Sequence, residues 1–333
     1  MDVPVWVWLV TVAVILAMLA VDFVGHARVP HAPSMRESAW WSAGYVAVAL
    51  VLGLVVWAGW GGGFAGEYYA GYITEKSLSV DNLFVFVLIM ATFRVPRLLQ
   101  QKVLLLGITV ALVLRTIFIL LGAALVENFS WIFYLFGAFL LWTAWSQLRH
   151  ARGGDDEEYH ENGFLRLVRR TLPVTEDYVE GRMLVRRSGR WLVTPLLVVM
   201  LAIGSADLLF AVDSIPAIFG LTQQTYLVFA ANAFSLLGLR QLYFLIDGLL
   251  DRLVYLAYGL AAILAFIGVK LVLHALHTNE LPFVNGGEHV HVPEVSTAVS
   301  LGYIVVVLAI TTLLSLWADR RRRELATSTR KDH

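Results

Sequence analysis

The stretch Glu75-Lys-Ser-Leu-Ser-Val-Asp81-Asn82-Leu-Phe-Val-Phe places ionisable side chains inside an otherwise apolar segment of the chain. A second stretch, Asp207-Leu-Leu-Phe-Ala-Val-Asp213-Ser214-Ile-Pro216-Ala-Ile-Phe219, has the same spacing. In both, an acid is followed by five residues, a second acid and a hydrogen-bonding side chain. Acids within a membrane-spanning segment are rare and usually mark a pathway for ions or protons. The two stretches therefore predict one site built from two similar halves.

The composition of the chain is that of a membrane protein. Of its 333 residues, 59% are hydrophobic and 15% are charged, whereas about a quarter of the residues are charged in soluble domains. Apolar segments of roughly 20 residues, which suffice to cross a ~30 Å hydrocarbon core, recur along the sequence. The absence of cysteine excludes disulfides and thiolate metal sites. The net charge of zero gives no indication of a nucleic-acid partner, and we expect the partners to be the lipid bilayer and a metal cation.

Nine membrane-spanning helices are predicted from the apolar segments. The first has neither a basic leader nor a cleavage site, so we expect it to be retained. Lys and Arg occur in alternate loops and are absent from loops 60–67, 127–129, 220–224 and 274–296. The positive-inside rule then predicts a multi-pass protein of the cytoplasmic (inner) membrane, with its N-terminus outside and its C-terminus in the cytoplasm. The nine spans lie at about 5–24, 39–60, 68–93, 103–126, 130–148, 192–219, 225–246, 253–273 and 297–317.

A second pair of related segments indicates an internal repeat. Leu112-Val-Leu114-Arg115-Thr-Ile-Phe118 in span four is similar to Leu237-Gly-Leu239-Arg240-Gln-Leu-Tyr243 in span seven. Because the two pairs of motifs occur in the same order, spans three to five match spans six to eight. Each unit has three spans, so the second unit enters the membrane from the opposite face. The predicted fold is an all-α membrane protein with an inverted-topology repeat, an arrangement typical of secondary transporters, whose site lies near the midplane.

The spans and loops divide the chain into six parts. We expect the linker to be a solvated connector with partial helical order. The loop after span eight is rich in histidine, and it could either capture a metal ion or be an ordinary flexible loop. The parts are peripheral spans one and two (1–66), the first repeat (67–148), the cytoplasmic linker (149–191), the second repeat (192–273), the extracytoplasmic His-rich loop (274–296), and span nine with a basic tail (297–333).

Helical periodicity predicts how the first acidic stretch presents its side chains. Glu75, Ser79 and Asn82 share one face of a straight helix, and Asp81 is turned about 100° from Asn82 toward a neighbouring helix. The second stretch is arranged in the same way, with Asp213 beside the face that carries Asp207 and Ser214. We therefore expect Asp81 and Asp213 to approach one another near the midplane. Pro216 removes a backbone hydrogen bond and is expected to kink or break span six just past Asp213.

The combined side chains form an all-oxygen ligand set, which suits a hard divalent cation such as Mn²⁺, Mg²⁺ or Ca²⁺. Each acid near the middle of the bilayer costs roughly 2.5–3.5 kcal/mol, and either a bound cation or protonation can offset this cost. Exchange of a cation for protons is therefore a natural cycle, with the metal as transported substrate and no permanent cofactor. The candidate ligands are Glu75, Asp81, Asn82, Asp207, Asp213 and Ser214, supported by Ser79, Arg115, Arg240 and Pro216.

One other reading of the charged residues remains open. The acids could form structural ion pairs with the cations that also lie within spans, which are Lys76, Arg115, Arg240 and Lys270. Arg115 lies near the middle of its span, so we expect it to pair with a carboxylate such as Asp81 or Asp213. An enzyme is not expected, because the sequence has no nucleophile–base pair, HExxH motif or phosphate-binding loop.

The two acidic stretches resemble the signature segments of the TerC family of integral membrane proteins. The nine-span layout and the basic central loop are also similar, so the resemblance covers almost the whole chain apart from the His-rich loop. It implies export of Mn²⁺ from the cytoplasm, an association with tellurite resistance, and kinship with LysE-type exporters. Two alternatives remain: a metal-binding membrane scaffold linked to tellurite resistance, and a LysE-like exporter of an amino acid or another small solute.

Overall fold

The fold is all-α in its membrane part, as the sequence predicts, with one small hairpin in the linker. A computed structural model describes residues 1–27, 34–129, 131–153, 173–175, 178–179, 181–187, 190–246, 255–279, 281–282 and 284–329, with the backbone alone at some of them. The helices are α1 (Val5–Ala27), α2 (Met35–Trp60), α3 (Gly62–Thr92), α4 (Arg97–Asn128), α5 (Ile132–Gly153), α6 (Pro195–Phe219), α7 (Thr225–Leu236), α8 (Leu239–Ile246), α9 (Leu256–His277) and α10 (Thr297–Thr329). The strands are β1 (Leu184–Arg187) and β2 (Arg190–Val193), and Asn285–Gly287 forms a short 3-10 helix.

Seven helical segments within the described ranges are long and apolar enough to cross a membrane. The pair α7–α8 counts as one of them. Helices α3 and α5 occupy the places of predicted spans three and five, and α3 is less apolar because it contains Glu67, Glu75, Lys76 and Asp81. The all-α membrane fold is thus confirmed, whereas the count of nine spans remains a prediction. The seven segments are Val5–Val24, Met35–Trp60, Arg97–Asn128, Pro195–Phe219, Thr225–Leu245, Leu256–His277 and Thr297–Ala318.

The central helices pack in pairs that correspond to one another between the two predicted repeats. Helix α3 packs against α7 and α4 packs against α6, while α5 makes an extensive contact with α9 and α3 also touches α6. These are the contacts that a two-fold relation between α3–α5 and α6–α9 would generate, since each cross-pair has its counterpart. The inverted repeat itself remains a prediction. In contrast, most side chains of α1 and α2 face outward, in keeping with their predicted peripheral place.

The helix of predicted span seven is interrupted after Leu236. Gly238 has a φ of +84°, which is a left-handed conformation that glycine adopts readily and other residues rarely do. Its counterpart in the first repeat is Val113, a β-branched residue that lies inside the uninterrupted helix α4. The difference between glycine and valine explains why one of the two similar segments is broken and the other is continuous.

The structure bears on two sequence predictions about local structure. Helix α6 does not break at Pro216 but continues for three residues to Phe219, since the lost hydrogen bond and the steric effect of the ring fall where the helix is about to end. The kink stays a prediction. Part of the linker is a β-hairpin, which the sequence did not predict, with Leu184 paired to Val193 in β1 and β2. The predicted partial helical order of linker residues 154–172 lies outside the described residues.

Helices α5 and α9 approach closely where two glycines face each other. A Cβ atom on Gly137 would lie 2.9 Å from the Gly268 carbonyl oxygen and 2.7 Å from Val272 Cγ2. A backbone atom cannot yield as a flexible side chain can, so the contact tolerates only glycine at this position.

Gly137→Ala is therefore expected to destabilise the protein by about 1–3 kcal/mol. Gly302→Ala is the matched control, since a Cβ atom on this helical glycine has nothing within 4 Å. Thermal unfolding of the two purified variants in detergent measures the difference. Equal midpoints for both variants would show that the α5–α9 contact does not depend on the glycine.

Candidate functional site

Arg115 lies at the centre of a buried cluster of charged side chains, and its own side chain has no exposed surface. Its Nη1 donates to Glu75 Oε2 at 3.0 Å, and its Nη2 donates to Asp207 Oδ1 at 3.1 Å. A third bond runs from Nε to Asp207 Oδ2 at 3.4 Å. The guanidinium therefore joins α4 to both α3 and α6, the two helices that carry the acidic stretches.

Asn82 belongs to the same cluster. With its amide oriented so that both ends are satisfied, its oxygen accepts from Arg115 Nη2 at 3.3 Å and its nitrogen donates to the Leu78 carbonyl at 3.1 Å. Glu75 and Asn82 thus reach Arg115 together, as their predicted common face on α3 requires. We call Glu75, Asn82, Arg115 and Asp207 the central cluster.

Several buried polar atoms on the two helices that carry the acidic stretches have no hydrogen-bond partner among the described residues. They include Glu75 Oε1 and the hydroxyls of Ser79 and Ser214, all in nearly inaccessible side chains. A buried polar atom without a partner costs about 1–3 kcal/mol, so a bound water molecule or ion at these atoms would be stabilising. All three are oxygen atoms, the ligand type that hard divalent cations prefer.

Asp81 and Asp213 lie next to Asn82 and Ser214 in α3 and α6, but their side chains are outside the described part of the structure. The predicted approach of these two acids and their pairing with Arg115 are therefore untested. Among the side chains that are described, no group of three or more His, Cys, Asp or Glu could hold a metal ion. The full ligand set thus remains a prediction.

Arg240 is not brought to the central cluster, although it occupies the position equivalent to Arg115. Its Nη2 donates to Asp22 Oδ1 at 3.0 Å, and Gln241 Nε2 donates to the same oxygen at 3.0 Å. Asp22 belongs to α1 and is buried. Sequence reasoning overlooked this residue, although the rule that flags acids in apolar spans applies to it equally. Its role is to neutralise Arg240 and to tie α1 to α8.

Two further contacts next to the site also escaped the sequence analysis. Asn232 lies beside Glu75 on the fully buried helix α7, although its Nδ2 makes no hydrogen bond of standard geometry within the described residues. Lys76 Nζ donates to the Ser235 carbonyl at 3.0 Å, close to the end of α7. An isolated asparagine in an apolar helix is the signal that could have identified Asn232, because such groups are costly in a membrane.

The fold and the buried cluster define a multi-pass membrane protein with a charged site in its helical core. The chain belongs to the TerC family, since the model of the "Integral membrane protein TerC family" matches residues 60–323. This range contains the central cluster and excludes Asp22 and most of α2. No solved structure matches the chain.

Curated relatives are similar over most of their length. One is "Uncharacterized membrane protein Rv2723" of Mycobacterium tuberculosis (strain ATCC 25618 / H37Rv), 53% identical over 322 residues, which are 96% of this chain and 81% of the relative. Another is "Uncharacterized membrane protein STKORF319" of Myxococcus xanthus, 41% identical over 80% of this chain and 83% of the relative. A third is "Putative membrane-bound redox modulator Alx" of Escherichia coli (strain K12), 37% identical over 92% of this chain and 93% of the relative.

Arg115→Met is expected to destabilise the protein by about 3–5 kcal/mol, because it leaves two buried carboxylates without their countercharge. The triple variant Glu75→Gln, Arg115→Met, Asp207→Asn removes all three charges and should recover most of this loss. Arg186→Met, at an exposed position in β1, is the control for the loss of one arginine. Folded yield and thermal midpoint in detergent give the comparison. A stable single variant would show that Arg115 is not the countercharge of Glu75 and Asp207.

Proposed function

We propose that this protein is a secondary transporter that exports a divalent metal cation, most favourably Mn²⁺, from the cytoplasm. The observation that supports this proposal best is the meeting of both acidic stretches at Arg115. Glu75 and Asp207 come from different helices and converge on one guanidinium in the buried core. The buried hydroxyls of Ser79 and Ser214 lie on the same two helices, and an ion could use them as ligands.

The charge balance of the site favours a cation as substrate. Arg115 neutralises only one of the two carboxylates that contact it. Asp81 and Asp213, one residue away from Asn82 and Ser214, would add two more negative charges when ionised. Excess negative charge in a hydrocarbon environment requires compensation, and a divalent cation supplies it within a single site.

The contacts of Arg115 also indicate which of the predicted ligands are available to an ion. Both carboxylate oxygens of Asp207 are engaged by the guanidinium, whereas Glu75 contacts it through Oε2 alone and leaves Oε1 outside this interaction. In the proposed site, Asp81 and Asp213 supply the principal ligands, assisted by Glu75 Oε1 and the Ser214 hydroxyl. Asp207 holds Arg115 in place, and the arginine keeps the site from binding the ion too tightly to release it.

The ligand chemistry favours Mn²⁺ over softer metals. The proposed ligands are all oxygen atoms, whereas Zn²⁺ and Cu⁺ prefer sites that include imidazole or sulfur. Mn²⁺ accepts carboxylate, amide and hydroxyl oxygens in one sphere, and the TerC resemblance implies the same ion. In the proposed cycle, protons leave Asp81 and Asp213 when the ion binds and return when it departs. The two repeats expose the site to each side in turn.

Asp81→Asn and Asp213→Asn are each expected to abolish Mn²⁺ efflux. Each variant lacks one principal ligand and one of the two carboxylates that are proposed to exchange protons for the ion. The measurement is loss of ⁵⁴Mn from preloaded cells, with the amount of membrane-inserted protein determined in parallel. Asp2→Asn is the matched control, since this acid is exposed near the N-terminus. Unchanged efflux by both site variants at normal expression would refute the site assignment.

A membrane scaffold is the second candidate, and the closed ion-pair network favours it. Glu75, Arg115 and Asp207 would hold three helices together even if no ion ever passed between them. A scaffold of this kind could still bind metal near Asp81 and Asp213.

Purified protein in sealed liposomes separates the two functions. A transporter is expected to move Mn²⁺ down an imposed gradient and to move protons in the opposite direction, as reported by dyes trapped in the lumen. A scaffold would bind Mn²⁺ in the same preparation and carry none across. Empty liposomes and the Asp81→Asn/Asp213→Asn protein define the leak that must be exceeded.

A further inference from the structure

An open cavity of about 360 Å³ lies at one end of the helical bundle, and we call it the outer cavity. Its lining comes from the start of α3, the segment after α6, the last turns of α9 and the segment before α10. These are loops that the distribution of Lys and Arg assigns to the extracytoplasmic face. The polar side chains in the lining are Glu67, Thr222, Gln223, Gln224, Lys270, His274, Glu294 and Thr297.

The outer cavity lies at the start of α3 and the end of α6, the two helices that carry the acidic stretches. Phe219 at its floor is the last residue of α6, roughly 7.5 Å along the helix axis from Ser214. Glu67 precedes Glu75 on α3 by roughly 12 Å along the axis. Thr222 Oγ1 donates to Glu67 Oε2 at 2.6 Å, which links the start of α3 to the segment that follows α6. The outer cavity therefore lies toward the end of α6 and the start of α3 relative to the central cluster.

The polar groups of the outer cavity are suited to a cation but do not form a tight coordination sphere. Glu67 and Glu294 bring negative charge, and His274 is engaged by Gln223 at 2.8 Å. No three acids or histidines among the described residues could hold a bare ion. A divalent ion with six waters needs roughly 200 Å³ at about 30 Å³ per water. The cavity can thus contain an ion that keeps its water shell.

Lys270 adds a cationic side chain to the lining of the outer cavity. Its ammonium lies in the lining within electrostatic range of Glu67, so it competes with an arriving cation for that carboxylate. A site of this composition attracts divalent ions weakly, which is the property required where a transported ion is released.

We propose that the outer cavity is an exit vestibule that holds a divalent cation in its water shell, with Glu67 as the attracting carboxylate and Lys270 as the group that keeps binding weak. This assignment rests on the proposed function for its physiological meaning, but ion binding to the cavity can be measured without transport. It adds a second ion site to the chain, distinct from the central cluster in both hydration and affinity.

Hexaamminecobalt(III) is the probe for this site, because it resembles a hydrated metal ion and cannot exchange its ligands for protein oxygens. Calorimetric titration of the full-length protein in nanodiscs is expected to show weak binding. Glu67→Gln should weaken it about three- to fivefold, and Lys270→Gln should strengthen it by a similar factor. Lys270→Arg keeps the charge and should bind as the unsubstituted protein does. Glu288→Gln, an exposed acid outside the cavity, is the control for the loss of one carboxylate.

The vestibule proposal is overturned if the unsubstituted protein and the Glu67→Gln variant bind hexaamminecobalt(III) equally. It is also overturned if Lys270→Gln does not change this binding. The same titration with Mn²⁺ is carried out on Asp81→Asn/Asp213→Asn protein, where the remaining binding should depend on Glu67. If the protein binds both ions in this way but transports none, the proposed function fails and the outer site stands. If Mn²⁺ transport is intact and Glu67→Gln changes neither titration, only the vestibule fails.

Discussion

The contact of Arg115 with Glu75 and Asp207 is the interaction on which the helical core depends. A guanidinium without exposed surface cannot be buried among apolar helices unless carboxylates accompany it, and two isolated carboxylates could not be buried there without it. The three side chains come from α4, α3 and α6, so their mutual requirement fixes the relative positions of these helices. It also brings the faces with Asn82 and Ser214 into the interior. The residues proposed to bind an ion are therefore held in place by the same charges that make the core costly to assemble.

The segments around Arg115 and Arg240 are alike in sequence but unlike in structure. Arg115 lies in a continuous helix and binds acids of the central cluster, whereas Arg240 follows the break at Gly238 and binds Asp22 of α1. If the repeats are related by inversion, this difference has a direct consequence. Two units in the same conformation would treat the two membrane faces alike, and a site could then not open to one face at a time. Gly238 and Asp22 are the residues at which the two similar segments differ in the described structure.

The motif spacing was sufficient to predict which side chains share a face, because the helical period alone determines it. Glu75 and Asn82 meet the same guanidinium for this reason.

The partners of side chains on other helices were less predictable. Asp22 and Asn232 contact residues far away in sequence, and no local pattern relates α1 to α8 or α7 to α3. Gly238 could be recognised as a potential break only by comparison with Val113. The hairpin in the linker was missed because polar, charged sequence outside the membrane carries no strong periodicity. Helix packing, rather than helix formation, is thus what the sequence left undetermined.

The central cluster and the outer cavity differ in the quantity that matters most for moving a divalent ion, which is the water it must give up. The unpartnered oxygens of Glu75, Ser79 and Ser214 are buried and few, so an ion bound there has to exchange water for protein ligands. The outer cavity has room for the water shell, and its Lys270 opposes strong binding. In the proposed cycle, an ion that passes from the first site to the second would regain hydration as it loses protein contacts, and the regained hydration would offset the lost coordination. Because the two sites lie on the same pair of helices, a movement of α3 against α6 would change both at once, and release at one face would be linked to closure at the centre.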